Sequence, residues 1–106
     1  MQALNYDVYH AIADPTRRAI LDFLKTGPQQ VNKVAAEFPM SRPAISKHLR
    51  VLRTSKLVKE KRQGRFRMYQ LNPMPLRDLD RWLEEYRVFW QRNLRSLKNY
   101  VEKSNK

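Results

Sequence analysis

Between Ser41 and Arg67 the chain carries ten lysines and arginines against a single acid, Glu60. Guanidinium and ammonium groups at that density bind polyanions. Their order suggests more than charge. Arg42, Pro43, Ser46 and Lys47 fall on one face if the segment is helical. Arg and Lys match guanine N7 and O6, Ser either a donor or an acceptor edge, and Pro a thymine methyl. Ser41, His48, Arg50 and Arg53 flank that face. Lys61, Arg62, Gln63, Arg65 and Arg67 follow after a gap. These are types that hold phosphate oxygens and fix a protein on a duplex without reading it. Each has a plainer reading. The helix bases can be a solvated face, His48 a satisfied interior histidine, and the later bases a guard against edge-to-edge strand pairing.

The surrounding pattern favours a built site, because the charges sit on ordered elements. Ser41 is a good helix cap, and Ile45, Leu49 and Leu52 share the face opposite the bases. The spacing predicts a helix over about 41–54. Leu57-Val58 opens a strand, Gln63-Gly64-Arg65 is a turn, and Phe66, Met68 and Gln70 alternate with Arg67, Tyr69 and Leu71 on the return. This predicts a basic hairpin over about 57–71. Upstream, Val31, Val34, Ala35 and Phe38 make a short helical face stopped by Pro39. Two short helices with a tight turn between them form a helix-turn-helix signature. Asp14-Pro15 starts an earlier helix, with Asp as cap and Pro at its first position. Ile20, Leu21, Phe23 and Leu24 are its buried face, and it ends near Thr26-Gly27. Leu4, Val8 and Ile12 predict a first helical stripe.

After Asn72-Pro73-Met74-Pro75 comes a long final helix, about 76–101. Leu76, Leu79, Leu83, Tyr86, Trp90, Leu94, Leu97 and Val101 line one stripe of about seven turns. Trp82 and Phe89 add a second apolar line. Two apolar faces imply two packing partners, the domain itself and a second copy of the chain. The residues assigned to that second interface are Leu79, Trp82, Leu83, Tyr86, Phe89, Trp90, Leu94 and Leu97. An aromatic ligand pocket is the lesser alternative.

Composition bounds the rest. The 106 residues carry a formal net charge of +12, and the expectation is one domain spanning 1–106. The isoelectric point is about 10.5 and the mean hydropathy −0.77, which points to nucleic acid before an acidic membrane. There is no cysteine, hence no disulfide framework and no thiolate metal site. With only two histidines, in separate predicted helices, no metal site and no cofactor is expected. No stretch approaches the roughly 20 apolar residues that span a bilayer. The N-terminal residues lack the pattern of a secretory signal, so the expected location is the cytoplasm. The acids are scattered, no glycine-rich phosphate loop is present, and no nucleophile and base can be paired, so an enzyme is not expected.

Three strings, AIADPTRRAILDFL, FPMSRPAISKHLRVLRTSKLV and KRQGRFRMYQL, resemble in order and spacing the ArsR-type winged-helix transcriptional repressors. The resemblance covers roughly Tyr6 to Leu71. It implies a mainly α fold with a small β-hairpin wing, dimerising through the first and last helices, which adds Leu4 and Val8 to the interface. It implies a recognition helix in each major groove, a wing at the minor groove, and repression of a promoter. Arg42, Pro43, Ser46 and Lys47 match the family's reading positions. The metal-sensing motifs do not carry over: the third helix reads VNKVAAEF, and the last helix has no His. The resemblance therefore implies the branch without those motifs. The function expected is a sequence-specific, homodimeric repressor on an inverted repeat. The rivals are a weakly specific architectural DNA binder and a protein-interaction module built on the final helix. No feature of the sequence names an inducer.

Overall fold

A computed structural model describes residues 7–104. In chain order the elements are α1 (Val8–Ile12), α2 (Pro15–Leu24), β1 (Gln29–Gln30), α3 (Val31–Glu37), α4 (Arg42–Thr54), β2 (Val58–Gln63), β3 (Phe66–Leu71) and α5 (Leu76–Ser104). They form two compact units, one ending at Leu76 and the other beginning at Arg77.

Local chemistry starts three of the helices in the first unit. Asp7 Oδ1 accepts the His10 N–H at 2.9 Å and opens α1. Asp14 Oδ2 accepts the Arg17 N–H at 2.9 Å, with Pro15 next in line, and opens α2. Ser41 Oγ accepts the Ala44 N–H at 3.3 Å and opens α4. Such a cap contributes about 1 kcal/mol by satisfying a donor with no partner inside the helix. The Arg17 N–H also holds the Asp14 carboxyl below its ordinary pKa, against an opposing push from burial.

The apolar faces then close on one core. Ala11 of α1, Ile20 and Leu24 of α2, Val34 of α3, and Ile45, Leu49 and Leu52 of α4 are buried together with Leu57, Val58 and Tyr69. Each fully buried Leu or Ile contributes about 1.5–3 kcal/mol, so α4 is anchored by the side opposite its bases. Phe23 and Phe38 pack on the edge of this core, their rings crossing at 90° with centroids 6.3 Å apart.

The sheet has three strands in the order β1-β3-β2, all antiparallel. The hairpin was expected; β1 was not. Gln29 and Gln30 are a strand only because they pair with Tyr69 and Met68, and two polar residues carry no period for a sequence reading to find. The expected alternation in β3 holds, with Tyr69 and Leu71 on the core side.

The passage from α4 to β2 is tightly held. The Lys56 N–H bonds the Arg53 carbonyl at 3.0 Å and the Leu57 N–H the Leu52 carbonyl at 3.0 Å. This is a Schellman ending, with Lys56 in the left-handed region at φ 67° where glycine is usual. Leu57 and Leu52, both fully buried, supply its apolar contact. Asn72 then clasps the junction: its N–H donates to the Leu57 carbonyl at 2.7 Å and its Nδ2 to the Lys56 carbonyl at 2.8 Å.

The second unit is α5. None of its described side chains from Arg77 on is buried. Trp82, Tyr86 and Trp90 form an i, i+4 aromatic ladder with ring centroids 5.1 and 6.4 Å apart. Arg87 lies off that ladder and pairs with Asp80 and Glu84.

Candidate nucleic-acid interface

The outward face of α4 matches its sequence reading. Arg42, Pro43, Ser46, Lys47 and Arg50 are exposed, while Ile45 and Leu49 between them are buried. Arg42 and Ser46, Pro43 and Lys47, and Ser46 and Arg50 are four apart, so the five make one continuous surface over the first turns. Arg42, Lys47 and Arg50 form no ion pair with any of the described residues. Ser41 is exposed at the head of the helix, with one hydroxyl lone pair engaged by its cap.

His48 does not share this surface. It is half-buried, with Nδ1 at 3.4 Å from Arg17 Nη1 and 3.9 Å from Asp14 Oδ2. The ring thus lies between the Arg17 guanidinium and the Asp14 carboxylate. Arg17 Nε and Nη2 also reach the Ala11 and His10 carbonyls at 2.8 and 3.0 Å. Through Arg17, His48 ties α4 to α2 and the end of α1.

The wing turns at Gly64-Arg65, between the paired residues Gln63 and Phe66. Gly64 takes φ 62°, which a two-residue hairpin turn needs at its first central position. Lys61, Arg62, Gln63, Arg65 and Arg67 are all exposed. Arg62 sits directly opposite Arg67 across the hairpin. Like charges so placed repel, and an anion laid across them would relieve the repulsion. Two of the predicted backbone residues are already partnered, however. Arg53 of α4 pairs with Glu60 Oε2, and Arg67 Nε lies 3.4 Å from Glu60 Oε1. The one acid of the basic block thus joins the helix to the wing and spends part of both arginines' charge. Sequence reasoning missed this because the partners lie on different elements.

On α5, Trp82, Tyr86, Phe89, Trp90, Leu94 and Leu97 are exposed, the last four by 49–65%. Leu79 and Leu83 are half-buried. Val8, expected at an interface between copies, is only 5% exposed because it is consumed by the chain's own core. Leu4 lies outside the described residues.

Among the described residues no group of three or more His, Cys, Asp or Glu could hold a metal, and no helix is long and apolar enough to cross a membrane.

Comparison with known proteins agrees with this architecture. The model of the bacterial regulatory protein, arsR family, matches residues 14–60, from the α2 cap into β2. The HTH-type transcriptional regulator Rv2034 of Mycobacterium tuberculosis is 46% identical over 90 residues, which cover 81% of this chain and 78% of that protein. The transcriptional repressor SdpR of Bacillus subtilis is 42% identical over 77 residues, covering 73% and 86%. Among solved structures, an ArsR family transcriptional regulator, RHA00566, superposes with a TM-score of 0.69 at 36% identity, covering 78% of this chain and 86% of that one. The homodimeric winged helix-turn-helix domain of Mb0332 from Mycobacterium bovis gives a TM-score of 0.58 at 27% identity, covering 79% and 75%.

Proposed function

Because this chain belongs to the arsR family of bacterial regulatory proteins, and is a DNA-binding transcriptional regulator rather than an enzyme, we propose that it acts in the cytoplasm as a homodimeric repressor on an inverted-repeat operator. The observation that carries this reading is the surface of Arg42, Pro43, Ser46 and Lys47. It is small, chemically mixed and exposed, on a capped helix whose opposite side is anchored in the core. A binder indifferent to sequence needs charge there, not a proline and a serine. These four residues read base edges in the major groove. Ser41, Arg50, Lys61, Arg62, Gln63 and Arg65 hold phosphates or the minor groove. Arg53 and Arg67 join them once phosphate competes with Glu60. The domain works as one functional piece, 1–106, with α5 pairing two copies. The homodimeric Mb0332 domain supports that pairing, as does the ladder of exposed aromatics. Two-fold symmetry then asks for half-sites about one helical turn apart, or a multiple of it.

Selection of bound fragments from a random duplex pool, followed by titration on the winner and a scrambled copy, tests the reading. Equal affinity for both duplexes would replace it with the architectural binder. The wing is tested separately. Arg65→Ala should weaken binding to both duplexes alike, and should make the slope of log K against log salt shallower by about one unit per contact, two per dimer. A change confined to the preferred duplex would move base reading into the wing.

The same reading makes repression metal-independent, because the chain has no cysteine and only two histidines. Affinity for the selected duplex should be unchanged by Zn(II), Cd(II), As(III) or a chelator, read by fluorescence anisotropy. A reproducible tenfold release by any of them, with the protein still soluble, would reveal a metal-responsive site.

A further inference from the structure

The outer face of the sheet, away from the core, carries a groove apart from the base-reading face of α4 and continuous with the wing. One depression, about 400 Å³, is bounded by Gln29, Gln30, Asn32 and Lys33 with Met68 at its edge. A second, about 500 Å³, is bounded by Pro28, Lys61, Arg62, Gln63 and Gln70 and shares Met68 with the first. No carboxylate lines either one. The side-chain amides of Gln29, Gln30, Asn32, Gln63 and Gln70 make no hydrogen bond with any of the described residues, although Gln30 stands at the N-cap of α3. Lys33 and Lys61 make no ion pair there either. Five uncommitted amides, two uncommitted ammonium groups and the Arg62 guanidinium thus line a shallow, open trough with a thioether at its middle.

We propose that this trough seats the sugar–phosphate backbone of DNA flanking the operator half-site. The inference rests on the DNA-binding reading and extends it to residues of β1 and α3. Three features choose a chain-like polyanion over a small anion. The two depressions lie on either side of Met68 and are open to solvent, so they suit a strand more than an enclosed molecule. Lys61 belongs both to the trough and to the basic wing, so the surface continues the expected phosphate track without a break. The lining is mainly amide, and amides together with Lys are common partners of phosphate and sugar oxygens in protein–DNA interfaces. The sequence hid this surface because amides add nothing to a charge count, and because β1 brings its residues beside Met68 only through long-range pairing.

The chemistry separates two kinds of contact. Lys33 displaces counterions from the duplex; the amides do not. The test uses the full chain and two versions of the selected duplex. One ends at the outer edge of the half-sites; the other carries about ten further base pairs of arbitrary sequence on each side, one helical turn. Wild type should bind the longer duplex several-fold more tightly. Lys33→Ala should lose most of that gain and make the salt slope shallower by about one unit per protomer. The double variant Gln30→Ala, Asn32→Ala should lose the gain with the slope unchanged. Lys33 and Asn32 are exposed and Gln30 is half-buried, so unaltered thermal unfolding checks that folding is intact. Wild-type binding with no preference for the longer duplex overturns the trough as a DNA seat. So does a preference that survives in all variants; in both cases the DNA reading stands. If wild type binds neither duplex, the DNA reading fails and the trough falls with it.

Discussion

Trp90→Glu should sediment at micromolar concentration as a monomer near 12.8 kDa, where the unaltered chain should sediment at twice that mass. Trp90 is 49% exposed and closes the ladder begun by Trp82 and Tyr86. On a single copy this side chain stands half in water; in the proposed two-fold interface it would be covered, and symmetry would count each change twice. Loss of a buried Trp costs about 3–5 kcal/mol, more than a hundredfold in the pairing constant, and a carboxylate between apolar faces adds its own desolvation. The first unit keeps its own core, so helix content and the unfolding of the winged part should persist. Binding to the full operator should fall sharply, because each half-site is then occupied alone. A Trp90→Glu protein that remains a dimer would move the interface off this face. Leu83→Glu tests a neighbouring position of the stripe, half-buried in the single chain.

Arg42→Ala should produce the largest loss of sequence discrimination. Arg42 lies in the first turn of α4, exposed and without an ion-pair partner among the described residues. Lost bidentate contact with guanine should cost about 1–3 kcal/mol per half-site, so both halves of a palindrome suffer. The scrambled duplex should be affected far less, and reselection should show one position per half-site losing its preference. This is the opposite signature to Arg65→Ala. If Arg42→Ala lowers both duplexes in parallel while leaving every base preference intact, the first turn of α4 positions the helix and does not read with it.

The parts legible in the sequence were those governed by neighbours along the chain. The caps at Asp14 and Ser41 announce α2 and α4, because the capping oxygen and the amide it satisfies are three residues apart. Ile45, Leu49 and Leu52 then give the inward side of α4, and hence the outward one. Gly64 marks the wing turn for a similar local reason: the left-handed region is cheap only for glycine. What escaped was decided by residues remote in sequence. His48 is turned inward by Arg17, 31 positions away. Arg53 and Arg67 share Glu60 from opposite elements. Val8 reads as one member of a stripe, and nothing local says whether that stripe covers its own core or another copy. Gln29 and Gln30 become a strand only in the presence of β3.

The clasp between α4 and β2 bears on how such a protein can diverge. Two backbone bonds at Lys56 and Leu57, the buried pair Leu52 and Leu57, and the Asn72 side chain all measure the same six-residue passage from Leu52 to Leu57. Adding or deleting one residue there breaks the bond pattern and shifts β2 by one place, which exchanges the two faces of its side chains. The tip at Gly64-Arg65 is exposed, and a side chain built at Gly64 would meet nothing within 4 Å. Insertions and deletions are therefore tolerated at the tip and excluded at the clasp. Over generations the wing can lengthen, shorten or change its chemistry while the helix keeps its angle and its anchor. Under the roles proposed for helix and wing, a lineage can in this way acquire a new operator one groove at a time.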